Sequence, residues 1–334
     1  MLKTLKTIVT FAFVLILSVG IFDNLSCKPS AVVRKNENSA VIPLILKGHT
    51  GFVRSAVFSS DGKKVVTASF DKTARIWDAE TGKELVQLKG HTDIVWSAVF
   101  SSDGKKVVTA SVDKTARIWN AETEKELFKL SGHIGVVFFA SLSPDGKKAV
   151  TASSDHTARI WDTETGKELV QLTEHTDKVF SAVFSPDGKK VITASLDHTA
   201  RIWDAETGKE LVQLNGHTGF VRSASFSHDG KKAVTTSLEK TARIWDAETG
   251  KELAQLNGHT DKVIFSSFSP DGKKVVTTSF DHTARIWDVE TERELLQLNG
   301  HTGRIFSAAF SPDGKKVVTA SGDKTARIWK IKQE

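Results

Sequence analysis

The sequence predicts an all-β fold, a seven-bladed β-propeller built from four-stranded antiparallel blades. Two landmark residues recur along the chain, and both series advance by 42 residues at every step. The recurring histidines are His49, His91, His133, His175, His217, His259 and His301. The recurring tryptophans are Trp77, Trp119, Trp161, Trp203, Trp245, Trp287 and Trp329. A constant period of this length indicates supersecondary units that must stack on one another to bury their apolar faces.

Each repeat predicts four short strands and no helix. In the first repeat, residues 53–59 are rich in apolar and small side chains, as expected of a buried strand. Asp61-Gly62 then marks a tight hairpin turn, because glycine accepts a positive φ. Residues 65–69, 73–78 and 84–88 are the next three strands. The links between them are too short for a crossover helix, so the strands form an antiparallel meander, and seven meanders predict a propeller.

The two ends of the repeat region predict how the ring closes. The seventh repeat stops near residue 331 without a fourth strand, whereas residues 41–49 have the spacing that leads from the fourth strand into the next repeat. We therefore expect residues 41–46 to complete the last blade. Pro43 suits an outer edge strand, where its missing N–H would face solvent. The predicted propeller domain spans residues 41–334.

The composition is that of a globular chain with charges of both signs. Charged residues make up 26% of the sequence, and the net charge is only +6. Each repeat carries a lysine pair such as Lys63-Lys64 close to acidic residues such as Glu80 and Glu84. This pattern favours a solvated mixed-charge surface over a polyanion site, so we expect no nucleic-acid partner. One cysteine permits no disulfide within the chain, and we expect a monomer.

The first 40 residues differ from the repeats. A short basic start precedes an apolar run over residues 8–22, which suits an export signal better than a spanning helix. The only cysteine, Cys27, follows five residues later and resembles the lipidated cysteine of a bacterial lipoprotein signal. Lipidation at Cys27, ordinary cleavage and an uncleaved anchor are all open alternatives. We therefore expect residues 1–27 to be a signal, residues 28–40 a polar tether, and the protein to be exported and membrane-anchored, or else periplasmic.

The repeats resemble the WD-repeat family, because Gly-His precedes Trp-Asp by about 29 residues with Ser and Asp between them. The resemblance implies a buried hydrogen-bond relay in every blade, formed in the first repeat by His49, Ser69, Asp71 and Trp77. The fifth repeat carries Glu239 where the others have Asp. A His/Asp pair repeated in every blade is expected to be structural. We therefore predict no catalytic residue, no metal and no cofactor.

The repeats differ from one another mainly at three variable positions. The first is the third residue after the recurring His, the second lies two residues further on, and the third precedes the relay acid. By resemblance to the family, these positions lie on the face that commonly binds partner proteins. Their side chains are mostly aromatic or aliphatic with interspersed arginine, as in protein–protein hot spots. The predicted partner-binding residues are Phe52, Arg54, Phe70, Ile94, Trp96, Phe138, Phe180, Leu196, Phe220, Arg222, Leu238, Phe280, Arg304 and Phe306.

These observations favour a non-enzymatic scaffold that binds a protein or peptide on its apolar face. Two alternatives use the same face or the propeller mouth: a binder of carbohydrate or another small ligand, and an enzyme. A third alternative is a purely structural role. For any single variable residue, packing into the channel mouth or against a neighbouring blade is also open.

Overall fold

The computed structural model describes residues 42–331, which form 28 strands and no helix. The strands pair into seven four-stranded antiparallel sheets, and this confirms the predicted propeller. In this part of the chain there is accordingly no helix of the length and apolar character needed to cross a membrane. The predicted signal, Cys27 and the tether over residues 28–40 lie outside the described residues.

Each blade consists of four strands that follow one another in the chain. The first strands are β2 Val53–Phe58, β6 Val95–Phe100, β10 Val137–Leu142, β14 Val179–Phe184, β18 Val221–Phe226, β22 Val263–Phe268 and β26 Ile305–Phe310. The second strands are β3 Lys64–Ser69, β7 Lys106–Ser111, β11 Lys148–Ser153, β15 Lys190–Ser195, β19 Lys232–Ser237, β23 Lys274–Ser279 and β27 Lys316–Ser321. The third strands are β4 Ala74–Asp78, β8 Thr115–Asn120, β12 Ala158–Asp162, β16 Ala200–Asp204, β20 Ala242–Asp246, β24 Ala284–Asp288 and β28 Ala326–Lys330. The fourth strands are β5 Glu84–Leu88, β9 Glu126–Ser131, β13 Glu168–Leu172, β17 Glu210–Leu214, β21 Glu252–Leu256, β25 Glu294–Leu298 and, for the last blade, β1 Leu44–Leu46.

The ring closes as the sequence predicts, although with a shorter strand. β1 pairs with β28 in antiparallel register, with Leu44 opposite Ile328 and Leu46 opposite Ala326. The strand therefore begins just after Pro43, which has no N–H to donate to a ladder. The first strands of neighbouring blades contact one another around the ring, and β2 contacts β26 to complete it. Among residues 42–331 each sheet stays within one blade, so the ring depends on packing and on the few hydrogen bonds that cross each blade junction.

The apolar core is divided among the interfaces between neighbouring blades. Between the first two blades, for example, Val66 and Ile76 pack with Val95, Phe100 and Trp119. All seven recurring tryptophans are almost completely buried. The closing strand contributes Leu46, which is 2% exposed, to the interface between the last blade and the first. One blade alone would leave such surfaces in water, which explains why the period must be repeated.

Every blade carries a β-bulge in its first strand. In the first blade Val53 is opposite Ser69 and Ser55 is opposite Ala68, so Arg54 is the extra residue. The same shift occurs at the equivalent residue of the other six blades. A bulge interrupts the alternation of a strand and redirects side chains. The bulged residue is the second variable position. This position therefore differs from the first and third in backbone conformation.

Candidate functional site

The relay in each blade runs from tryptophan through a threonine to histidine and an acid. In the first blade the indole N–H of Trp77 donates to Thr67 Oγ1 at 2.8 Å, and that oxygen lies 2.7 Å from His49 Nε2. His49 Nδ1 lies 2.7 Å from Asp71 Oδ2. A neutral histidine with its proton on Nδ1 satisfies all four groups, because the threonine hydroxyl then donates to Nε2. Equivalent contacts occur in every blade.

The predicted place of Ser69 in this relay is wrong. Ser69 Oγ accepts the backbone N–H of Asp71 at 3.1 Å and so holds the turn that carries the acid. Thr67 and Ser69 are both completely buried and lie two residues apart, on one face of β3. The residue pattern therefore offered two hydroxyls for one role. Threonine at this place in all seven repeats was a signal of equal regularity.

The longer acid of the fifth blade preserves the link. Glu239 Oε1 lies 2.6 Å from His217 Nδ1, and its other oxygen accepts the backbone N–H of Thr218 at 2.7 Å. Burial raises the pKa of Glu239, but hydrogen bonds from Thr218 and His217 outweigh this and lower it to about 2. The substitution of Glu for Asp therefore leaves the relay complete.

The pKa shifts of the relay acids, and of the histidine in two blades, agree with this neutral histidine and an ionised acid. Burial raises the pKa of Asp71, but hydrogen bonds from His49 and Thr73 outweigh it and hold the pKa well below its usual range. In the last blade, burial lowers the pKa of His301, and the bond to Asp323 offsets this only in part. Both ring nitrogens are occupied in each case. Among residues 42–331, no group of three or more His, Cys, Asp or Glu side chains is placed to hold a metal ion.

The first and third variable positions lie side by side at the same end of every blade. A backbone hydrogen bond joins them, as from Phe70 N–H to Phe52 C=O at 2.9 Å and from Leu238 N–H to Phe220 C=O at 3.1 Å. The second position follows on the bulge of the same strand. We call the surface formed by these three positions in all seven blades the variable face.

Seven aromatic side chains of the variable face form a continuous aromatic arc across six blades. Each ring lies 4.2 to 6.4 Å, between centroids, from the next along the arc. The closest pair is Phe138 and Phe180, which are stacked at 4.2 Å. In order, the members are Phe280, Phe306, Phe52, Phe70, Trp96, Phe138 and Phe180. Aromatic groups predicted separately from the repeats are thus one connected surface.

The fourteen predicted partner-binding residues differ in accessibility. Phe52 and Phe220 are 43% and 41% exposed, and Arg304 is also exposed. Phe306 is buried, so it joins Phe280 to Phe52 within the arc but does not offer a surface of its own. The other ten are half-buried, namely Arg54, Phe70, Ile94, Trp96, Phe138, Phe180, Leu196, Arg222, Leu238 and Phe280. Their role in binding a partner stays a prediction.

The second variable positions surround a central cavity of about 50 Å³ where the first strands converge. Because of the bulge, the next residue of the strand also faces it, so Ser55, Ser97, Ser181 and Ser307 join the lining. The larger side chains of the lining are Arg54, Trp96, Phe138, Phe139, Phe180, Arg222, Ile264, Phe265 and Phe306. Sequence periodicity could not find the serines, because a regular strand would direct them away from the variable residues.

Two arginines of the cavity lie against aromatic rings. The guanidinium of Arg54 is 4.0 Å from the ring centroid of Trp96 and 4.2 Å from that of Phe306. That of Arg222 is 3.4 Å from the centroid of Phe180. Burial, and secondarily repulsion from Arg222, holds the pKa of Arg54 well below its usual range. Burial lowers the pKa of Arg222 to about 9.

Comparison with known proteins agrees with this geometry. A family model described as "WD domain, G-beta repeat" matches seven consecutive stretches of the chain. These are residues 42–78, 82–120, 124–162, 166–204, 208–246, 250–288 and 292–330. The chain belongs to the WD40 family. WD40 propellers typically serve as protein-interaction scaffolds and are generally non-enzymatic.

Curated relatives match this WD40 chain over short stretches. An mRNA export factor of Xenopus tropicalis is 43% identical over 49 residues, which is 15% of this chain and 13% of that protein. A serine-threonine kinase receptor-associated protein of Gallus gallus is 34% identical over 84 residues, which is 25% of this chain and 24% of that protein. Its Homo sapiens counterpart is 36% identical over 84 residues. The matches thus span a quarter or less of these relatives.

The predicted localisation is wrong. Export with membrane anchoring was inferred from the first 27 residues, which lie outside the described residues. The relatives that match the propeller are an mRNA export factor and a serine-threonine kinase receptor-associated protein of eukaryotes, and neither is a bacterial exported lipoprotein. An apolar run near the N-terminus resembles a signal by composition alone, and the repeats carry no information about export.

Proposed function

We propose that this chain is a protein-binding scaffold that docks a protein or peptide on its variable face. The observation that carries the proposal is the aromatic arc, which connects six blades and is exposed to solvent at its member Phe52. Aromatic side chains bury a large area at small entropic cost, and binding hot spots are enriched in them. The general use of WD40 propellers as interaction scaffolds supports the same reading.

Exposed apolar residues elsewhere on the propeller serve as a natural control. Leu85 and Leu211 lie on the outer strands β5 and β17 and are 44% and 45% exposed, close to the values for Phe52 and Phe220. They belong to separate blades and lie outside the variable face. Charge introduced at either pair costs the fold about equally little, so a difference in binding reports on the face itself.

The test compares the variants Phe52→Asp/Phe220→Asp and Leu85→Asp/Leu211→Asp with the wild type, after each has shown an unchanged melt. Partners are captured, identified, and then titrated against all three proteins in purified form. We expect one partner to bind the wild type and the leucine variant alike, and to lose at least tenfold in affinity for the phenylalanine variant. Equal binding to all three proteins would contradict docking on the variable face.

A further inference from the structure

The polar side chains among the described residues that line the central cavity are hydrogen-bond donors and hydroxyl groups, without a carboxylate. Arg54, Arg222 and the indole N–H of Trp96 are donors, and four serine hydroxyls complete the set. Arg54 Nε and Trp96 Nε1 are buried without a hydrogen-bond partner among residues 42–331. A buried donor without an acceptor costs free energy, and a bound ligand or water that accepts from it would remove this cost.

The serine hydroxyl groups can also donate hydrogen bonds. The oxygens of Ser55, Ser97 and Ser181 accept backbone N–H groups of neighbouring blades at about 3.1 Å, as their use at the blade junctions requires. Within residues 42–331 their hydroxyl protons have no acceptor from the protein. They are therefore able to donate into the cavity that these residues line.

The two arginines bring positive charge to the cavity without a carboxylate to balance it. Every recurring arginine at the position of Arg75 is paired with an acid, as Arg75 is with Glu84 at 2.7 Å. Arg54 and Arg222 instead lie over aromatic rings and form no ion pair among the described residues, and their charges repel each other. A negative group between them would relieve that repulsion and strengthen hydrogen bonds in a site of low dielectric constant.

The size of the cavity limits how large a bound group can be. A water molecule needs roughly 10–15 Å³ of such space, so a cavity of about 50 Å³ holds about three to five non-hydrogen atoms. A carboxylate group has three such atoms and fits within this range, whereas inorganic phosphate has five and would fill the cavity to its upper limit. The planar guanidinium also matches a carboxylate in its hydrogen-bond geometry.

We propose that the central cavity binds a carboxylate group of the docked partner, with Arg54 and Arg222 as its counter-charges. The proposal rests on the docking function proposed above and adds that the partner inserts an acidic side chain or its C-terminal carboxylate. The surroundings favour an acidic partner, because the residue after each relay acid is basic. These residues are Lys72, Lys114, His156, His198, Lys240, His282 and Lys324.

Formate serves as the probe, since it is the carboxylate group alone. Sodium formate replaces sodium chloride at constant ionic strength, and the full chain is followed by its melting temperature and by the indole ¹H–¹⁵N resonance of Trp96. Seven of the eight indoles are bonded to relay threonines, so Trp96 is assigned through Trp96→Phe. We expect formate to raise the melting temperature saturably and to shift this resonance.

Variants separate the cavity from general charge effects. Arg222→Ile introduces the residue that the sixth blade carries at the same place, Ile264, and Arg293→Gln removes one charge from an exposed turn. We expect Arg222→Ile to abolish the formate response and Arg293→Gln to retain it. If Arg222→Ile does not fold, Arg54→Gln gives the same comparison. No response in the wild type, an equal response in Arg222→Ile, or a response to phosphate and not to formate would overturn the proposal.

The last measurement is the affinity of the partner for the cavity variant. Arg222→Ile should weaken a partner identified in the docking test by about tenfold or more, the usual scale for one lost buried charge contact. Converting the partner's acidic residues to amides, or amidating its C-terminus, distinguishes the two sources of the carboxylate. Formate binding in Phe52→Asp/Phe220→Asp tests the cavity even if docking on the variable face fails, so the two proposals can fail independently.

Discussion

Ser97 Oγ, in the second blade, accepts a hydrogen bond from the backbone N–H of Ala140, in the third blade, at 3.1 Å. The same contact crosses five of the seven blade junctions. At the other two junctions the serine is replaced by Phe139 or Phe265. There a serine two residues further along donates to the next blade instead, as from Ser141 to Ala182 C=O at 3.1 Å. Every blade junction therefore has a serine hydrogen bond, even where phenylalanine replaces the serine that follows the bulge.

Removing one of these contacts should destabilise the ring. Ser97→Ala leaves the buried N–H of Ala140 without its partner, and we expect the free energy of unfolding to fall by about 1–3 kcal/mol. Denaturant unfolding measures the change. Ser60→Ala is the control, because Ser60 is exposed in a turn and should alter stability by less than about 0.5 kcal/mol. Equal stability of the two variants would show that the junction bond contributes nothing.

The relay predicts an order of stability between two neighbouring hydroxyls. Thr67→Val preserves side-chain shape but leaves both Trp77 Nε1 and His49 Nε2 unpaired, at about 1–3 kcal/mol for each group. Ser69→Ala loses only the bond from the backbone N–H of Asp71. Thr67→Val should therefore melt at a lower temperature than Ser69→Ala. The reverse order would restore Ser69 to the relay and remove Thr67 from it.

Features that follow from the repeat period could be predicted from the sequence, whereas features that follow from the pairing register of the strands could not. Blade number, strand positions and closure by residues 44–46 follow from the 42-residue period and from the missing fourth strand of the last repeat. The bulge at Arg54 depends on how β2 pairs with β3, and a single strand sequence does not encode that pairing. Because the bulge turns Arg54 and Ser55 to the same side, the central cavity could not be predicted.

The choice between Thr67 and Ser69 failed for a related reason. Residues two apart on a strand share a face, and both hydroxyls are present in every repeat. The structure distinguishes them because the indole N–H of Trp77 contacts the hydroxyl of Thr67 and not that of Ser69. The aromatic arc, by contrast, consists of residues that the sequence had singled out, and the structure adds that one of its members, Phe306, is buried.

Stability should decline in acid in two stages. Burial lowers the pKa of His217 and His301 in the fold, so the unfolded chain binds protons more readily, and stability falls as pH drops below about 6.5. The pKa of Asp71 and its counterparts is also lowered in the fold, so a second loss begins below about 4. Unfolding free energies measured from pH 8 to pH 3 check this course. Constant stability down to pH 5 would contradict the neutral-histidine assignment.

The glutamate of the fifth blade should be replaceable by the acid used in the other six. Glu239→Asp keeps a carboxylate for His217, and the neighbouring Gly219 has the same place as the glycines beside Asp71 and Asp155. We expect a change below about 0.5 kcal/mol in the free energy of unfolding. Glu239→Ala, which leaves His217 Nδ1 without an acceptor, should cost about 1–3 kcal/mol. Similar losses in both variants would show that the fifth relay requires the longer side chain.

The closing strand offers a comparison between adjacent residues that face opposite ways. Leu46 is 2% exposed and packs with Trp77 and Ile328, whereas Ile45 is 36% exposed. Leu46→Ala removes buried methyl groups at the junction between the last and first blades, so we expect a loss of about 2–5 kcal/mol. Ile45→Ala should cost less than about 0.5 kcal/mol. Among the described strands, β1 is the one that pairs with β28 at the edge of the last blade. We therefore expect Leu46→Ala, which should weaken the attachment of β1, also to increase proteolysis of β28. Equal losses would mean that β1 holds the ring through its backbone ladder and not through Leu46.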